Sequence, residues 1–330
     1  MINAVILGYD YALSTSITGL ADLLSLAGVS WNRLNNTPPE RLFNLQIASD
    51  TGKPFTCLNS VEITPHISFG QIESPDIVLV PTIGGNIERT LFQNRALIDY
   101  LSGLKNQDIL IASNCTGAFL LAEAGLLDGK QATTHWGFVD LFRSRYPAVN
   151  LMPGQLVTHD GNILCAGGGN AWFDLGLYMV ERFSDHETAV GSAKTFVIDM
   201  GRQSQLSYSP LISKRYHNDE KVLEIQTWME SNHRNHLSLS DVANAFHISL
   251  RTLNRRFKSA TGETPNVYLQ SLRLESAKKL LEETSNSLTE VTNKVGYDDV
   301  SSFSILFKKK TGLTPGQYRE RYRSSVATCD

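Results

Sequence analysis

Phe257-Lys258-Ser259-Ala260-Thr261-Gly262-Glu263-Thr264-Pro265-Asn266-Val267-Tyr268 recurs at a spacing of 50 as Phe307-Lys308-Lys309-Lys310-Thr311-Gly312-Leu313-Thr314-Pro315-Gly316-Gln317-Tyr318. Seven of the twelve positions are identical. Self-similarity at a fixed period is the mark of one supersecondary unit used twice. Upstream, Leu239-Ser240-Asp241-Val242 parallels Leu288-Thr289-Glu290-Val291 at a spacing of 49. Ser240 and Thr289 read there as caps of helices that open with an acidic residue.

Each copy therefore reads as a short helix, a turn, and a second helix stopped at Thr-Gly, where glycine supplies the left-handed exit. In the first copy the second helix begins at Ser249 and places Leu250, Leu253 and Phe257 on one face. Arg251, Asn254, Arg255 and Lys258 fall on the other. In the second copy Phe303, Leu306 and Phe307 take the buried stripe, and Ser301, Ser304, Ile305 and Lys308 face outward, followed by Lys309 and Lys310. Between the copies, Pro265 to Glu283 carries apolar residues in helical spacing, enough for one long connector. Two heads entering successive major grooves on one face of a duplex would sit roughly 34 Å apart.

These paired units resemble the DNA-binding domain of AraC/XylS-type transcription regulators. The resemblance implies that both second helices enter adjacent major grooves, and the matching outward positions are Arg251, Thr252, Asn254 and Arg255, then Ser301, Ser302 and Ser304, with Lys308 beside them. Ile305 departs from the family, where a basic residue is common. Arg251 and Arg255 can reach guanine O6 and N7 in bidentate fashion, so the second, serine-rich head is expected to add affinity more than sequence information.

The charge distribution agrees with a polyanion partner. The net charge of −3 hides a front piece of −5 (residues 1–217) and a back piece of +2. No run of 18 apolar residues occurs, and Met1 to Asp10 lacks a signal peptide's basic leader and cleavage site, so a cytoplasmic location with no membrane partner is expected. The four cysteines, Cys57, Cys115, Cys165 and Cys329, form no CxxC pair, and neither a zinc site nor a disulfide framework is expected. No cofactor is implied.

Ahead of the repeat, short β-rich runs alternate with helical stretches: Ala4–Leu7, Phe43–Ala48, Ile77–Val80, Ile109–Ala112 and Asn162–Ala166. Alternation of this kind predicts a doubly wound α/β sheet, with ligand sites beyond the carboxyl ends of its strands. Three stretches fall at such ends. Ser113-Asn114-Cys115-Thr116-Gly117 fits a sharp strand-to-helix elbow, where small neighbours avoid a clash and a helix N-terminus favours thiolate. Gly84 and Gly85 could expose backbone N–H groups to an anion. His135 and Trp136 follow twenty residues after Cys115, and Asp22 is a candidate acid. Trp136 and Trp172 read either as core aromatics or as part of a cage for a cationic amine. Gly167-Gly168-Gly169 lacks a following P-loop Lys-Ser/Thr and reads as a close-packed turn.

Cys115 at an elbow, His135 and the stretch Gly161 to Phe183 resemble a PfpI-like domain of the class I glutamine-amidotransferase superfamily. In that superfamily an acid from the first helix often assists the elbow cysteine, and Asp22 matches that place. Many peptidase-like relatives carry His directly after the Cys, whereas this chain has Thr116. The chain thus divides into a flavodoxin-like domain over 1–195, a linker over 196–220 and a double helix-turn-helix domain over 221–325. This order resembles AraC-type regulators with a PfpI-like sensory half. That resemblance implies control by a small amine, amino acid or betaine bound near Cys115. It also implies a homodimer formed through the first domain, with double-stranded DNA and RNA polymerase as partners. Two readings compete with this non-enzymatic one: a Cys115-dependent hydrolase or glyoxalase-like enzyme, and a redox sensor in which Cys115 oxidises reversibly.

Overall fold

A computed structural model describes residues 1–211, 217 and 219–323. Cys329 and the Ser213–Arg215 part of the expected linker lie outside the described residues. The chain forms two compact units, divided between Gln205 and Leu206.

The first unit is built on a seven-stranded sheet: β1 (Ile2–Leu7), β2 (Phe43–Ser49), β3 (Ile67–Ser68), β4 (Ile77–Val80), β5 (Leu110–Asn114), β6 (Val157–Asp160) and β7 (Ile163–Ala166). Their spatial order is β6-β7-β5-β4-β1-β2-β3. Every pairing is parallel except β6 with β7. Strands β4, β5 and β7 are buried along their whole length, as parallel strands covered on both faces must be. Their unbroken apolar runs are what made them readable in sequence. One group of packed helices comprises Ser14–Leu26, Ala171–Phe183 and His186–Phe196, and a second comprises Ile87–Gln93, Arg95–Gly103 and Ala118–Glu123. The five central strands follow the flavodoxin-like order, reversing direction between β1 and β4. The crevice that reversal opens lies where Gly8 to Ala12, Pro81 to Gly85 and the Cys115 turn meet.

Within the described part of the stretch expected as a linker, residues up to Gln205 fall in the first unit and Leu206 to Leu211 in the second. Gln203 to Gln205 run beside the start of β6: the Leu156 N–H donates to Gln203 O at 2.9 Å, and the Gln205 N–H to Gly154 O at 3.2 Å. Beyond the division, the Leu211 N–H donates to the Glu275 carboxylate and the Tyr322 hydroxyl to Ser207 Oγ, both inside the second unit.

The second unit has two small cores. The first gathers Val222, Ile225, Met229, Val242, Leu253, Phe257 and Tyr268. The second gathers Leu274, Leu281, Val291, Phe303, Phe307 and Tyr318. Helix Pro265–Glu283 spans both, giving Leu269 and Leu272 to one and Leu274 and Leu281 to the other. The repeat persists in atomic detail. The Tyr268 hydroxyl donates to Glu230 at 2.7 Å and the Tyr318 hydroxyl to Glu282 at 2.6 Å. The Thr261 and Thr311 hydroxyls each donate to the carbonyl four residues back, at 2.8 Å. Gly262 and Gly312 then exit at φ +80° and +79°, a conformation that a Cβ disfavours. The caps differ from expectation. Ser238 and Ser287, rather than Ser240 and Thr289, close capping boxes with Asp241 and Glu290, because the reciprocal bond needs the acid three residues after the serine.

Candidate functional site

The first reading helix, Leu250–Thr261, is capped by Ser249, whose hydroxyl accepts from the Thr252 N–H at 3.1 Å. Leu253 and Phe257 are buried beneath it, and Arg251, Arg255 and Lys258 are exposed. Leu250 leaves the expected apolar stripe: it is 43% exposed, at the first helical position, ahead of the turn that meets the core. Arg256 is turned back, its Nε donating to the Asp219 carboxylate that caps helix Glu220–Asn232. Thr252 and Asn254 are half-buried, and the Asn254 amide donates to Leu250 O at 2.9 Å. The second reading helix, Val300–Thr311, is capped by Asp299, which accepts from the Ser302 N–H at 2.6 Å. Phe303 and Phe307 are buried, whereas Leu306 is only half-buried. Ser301, Ser302, Ile305 and Lys308 are exposed, and the Ser304 hydroxyl is spent on Val300 O at 2.7 Å.

In the first unit, β5 ends at Asn114 and Cys115 takes φ +56°, the left-handed region that non-glycine residues avoid. A 3-10 turn, Cys115–Gly117, leads into helix Ala118–Glu123. The elbow is therefore real, but it is closed: Cys115 is 6% exposed. Burial pushes its thiol up from the ordinary value, and hydrogen bonds from Gly169, Thr116 and Thr82 do not offset that cost. This corrects the expected thiolate. The Thr116 hydroxyl donates to Ile83 O at 2.9 Å and the Thr134 hydroxyl to Cys115 O at 2.9 Å, pinning the turn from both sides. The Asn114 amide donates to the Thr82 hydroxyl, while Asn114 Oδ1 is buried with no donor among the described residues.

The other expected site residues have different surroundings. Asp22 is exposed on Ser14–Leu26, off that helix's buried stripe. Ser16 reaches the crevice instead, its hydroxyl accepting from the Thr82 N–H at 3.1 Å. The Gly84 N–H is used by Tyr11 O at 2.8 Å, and a Cβ at Gly84 would come within 2.9 Å of Leu58, so this glycine serves packing. Gly85 lies against the Tyr11 side chain. His135 Nδ1 accepts from the Gly137 N–H at 2.9 Å, and burial holds its pKa below the ordinary value. Its ring sits 4.8 Å from that of Trp136 and fills the space a Cβ of Gly168 would need, 2.2 Å away. Trp172 is buried against Gly19 and stacked on Phe173, with no ring contact to Trp136. An open cleft of about 730 Å³ lies elsewhere, lined by Asp174, Tyr178, His159, Met200 and Arg202 among others. Among the described residues no group of three or more His, Cys, Asp or Glu could hold a metal ion.

A model described as a helix-turn-helix domain matches residues 242–321, and the DJ-1/PfpI family model matches residues 27–182. The chain joins a DJ-1/PfpI domain to an AraC-type helix-turn-helix domain. Two curated relatives match across most of the chain. The HTH-type transcriptional regulator CdhR of Pseudomonas aeruginosa is 27% identical over 279 residues, covering 84% of this chain and 82% of that one. GbdR of the same species is 28% identical, over 87% of this chain and 77% of its own. Among solved structures, an AraC family transcriptional regulator from Pseudomonas putida superposes with TM-score 0.51 at 21% identity, over 59% of this chain and all of that one. Drosophila melanogaster DJ-1beta gives 0.50 at 20%, over 60% of this chain and 98% of its own. At such identities these two establish the fold of the DJ-1/PfpI domain.

One residue of that domain escaped the sequence reading. Gln205 is buried, and its amide nitrogen donates to Thr134 O at 2.8 Å, one residue from His135. Its Oε1 accepts from the Gly168 N–H at 3.1 Å. Arg202, three residues earlier, pairs with Asp174. No local signal marks Gln205, because its partners lie 37 to 72 residues away in sequence.

Proposed function

We propose that the chain is a sequence-specific, DNA-binding transcriptional regulator whose DJ-1/PfpI unit answers to a small metabolite. The observation that carries the first half is the duplicated reading helix, separately capped and stopped in each copy, with Arg251, Arg255 and Lys258 exposed on one and Ser301, Ser302 and Lys308 on the other. Thr252, Asn254 and Ser304 complete the contact surface. CdhR, GbdR and ArgR of Pseudomonas aeruginosa, all named HTH-type transcriptional regulators, match across most of this chain. The regulator works in the cytoplasm as a homodimer joined through its first unit, with RNA polymerase as a further partner. Among the described residues no helix is long and apolar enough to cross a membrane.

Arg255→Ala is expected to weaken binding to a selected duplex by roughly 5- to 150-fold and to relax preference at one base pair, the worth of one bidentate guanine contact. Ser304→Ala should cost less than a factor of two, since that hydroxyl is closed onto its own helix. Equal and negligible losses in a binding titration would remove the reading.

The effector, an amine, amino acid or betaine, is proposed to lie by Gly84, Gly85, Cys115, Thr116, His135 and Trp136, where His135 and Trp136 are half-exposed beside the closed elbow. Turnover at Cys115 is disfavoured by a thiol that burial keeps protonated and an imidazole whose Nδ1 is engaged. Thermal unfolding against a panel of such compounds tests the sensing half: a ligand at 100 times its Kd stabilises by about 2.7 kcal/mol. A shift lost in Trp136→Ala supports the elbow. A shift that survives moves the effector to the Asp174–Tyr178 cleft.

A further inference from the structure

The two reading helices are equal in architecture and unequal in chemistry. Superposing the repeat sets Ser301 at the place of Arg251, Ser302 at that of Thr252, Ile305 at that of Arg255 and Lys308 at that of Lys258. Arg255, the long-reaching group in the middle of the first reading face, is thus replaced by an isoleucine. That isoleucine is not tucked into a core: Ile305 is 71% exposed, more than any other large hydrophobic described in the second unit. Its helical neighbours Phe303 and Phe307 are buried and fix the face it presents. Around it the exposed surface is Ser301, Ser302, Lys308 and Lys309.

A lone exposed apolar side chain is ordinary on a protein surface. The position of this one carries the argument. The uncharged polar groups on its helix have short reach or are occupied: Ser304 is bonded to Val300 O, and Ser301 and Ser302 lie in the first turn beside the Asp299 cap; the long cations Lys308 and Lys309 lie in the last turns of the helix. A major groove offers side chains two kinds of feature, hydrogen-bonding edges and the thymine C5-methyl group, and an isoleucine can use only the second.

We infer that Ile305 is a specificity-determining residue of the second reading helix, and that it selects a T·A pair by packing on the thymine methyl group. This rests on the DNA-binding reading given above. The second head then carries sequence information after all, in the form of one methyl contact held in register by Lys308 and the serines, which bond phosphates.

The test uses the full chain and a duplex selected from a randomised pool. Each thymine of the selected site is replaced in turn by uracil, which deletes the methyl group and leaves every hydrogen-bonding edge in place. One replacement is expected to weaken wild-type binding on the order of four-fold, the worth of one buried methyl. That sensitivity should vanish in Ile305→Ala while the thermal midpoint holds, since the residue supports no core. Ile305→Arg should move the preference at the same base pair from thymine to guanine. If Ile305→Ala binds as wild type and no uracil replacement matters, the inference is overturned and the DNA-binding reading stands; the exposed isoleucine then serves a protein partner. If no sequence is selected at all, the DNA-binding reading falls and takes this inference with it.

Discussion

At the scale of single residues, Cys115 shows how far geometry and reactivity can separate. The sequence around it has the small neighbours that an elbow demands, and the backbone takes the strained conformation. Yet a nucleophile needs thiolate, and here burial outweighs every hydrogen bond that would favour the charge. The sign follows directly: with its pKa raised, the thiol stays neutral through physiological pH and ionises only above the ordinary cysteine range. Alkylation of Cys115 by iodoacetamide, followed by mass spectrometry, is therefore expected to be slow at pH 7 and to be still climbing beyond about pH 9, where an ordinary cysteine levels off. A rate already at its plateau at pH 7 would restore the activated-thiol reading and with it the enzyme alternative. Thr116 and Thr134 clamp the turn on either side. Substituting Thr134 by valine keeps the shape and removes one clamp, and should raise the alkylation rate at pH 7.

Helix ends are the elements on which the second unit depends, and they were also its most legible feature. Thr-Gly stops, Pro at the first helical position and apolar residues in helical spacing are local signals, so the connector Pro265–Glu283 and both reading helices could be placed from sequence. The caps were misplaced by two residues because serine stands at both 238 and 240, and only the acid three residues on from Ser238 decides between them. Strand β6 was missed because Val157-Thr158-His159-Asp160 lacks the apolar run of an inner strand. Gln205 was illegible because a buried amide with distant partners looks like any other polar residue in a polar stretch. The capping boxes also give pH dependence. Hydrogen bonds from Ser238 hold Asp241 below the ordinary carboxylate range, and those from Ser287 do the same for Glu290. A depressed folded-state pKa contributes stability that is present above about pH 4 and is lost as pH falls through the folded value. The midpoint of the second unit should thus hold from pH 7 to about 5 and fall below about 4. Asp241→Asn combined with Glu290→Gln should flatten that fall; an unchanged acid limb would show that the caps do not govern it.

On the scale of the whole molecule, the question is where one folding unit ends and the next begins. Every core cluster draws its residues from one side of the Gln205–Leu206 division. On either side of that division, Gln205 is anchored to Thr134 and Gly168, and Ser207 to Tyr322. Separate cores imply separate transitions on heating, each answering to its own variants. Gln205→Ala strands buried backbone groups and should cost the first transition about 1–3 kcal/mol while leaving the second in place. Gly262→Ala forces a Cβ into the left-handed region and should cost the second about 1–2 kcal/mol while leaving the first. Scanning calorimetry of the full chain decides it: if either substitution moves both transitions together, the two units unfold as one and the division does not separate them energetically. If each moves its own, the Gln205–Leu206 division separates two energetic units, and Gln205→Ala reports on the first alone.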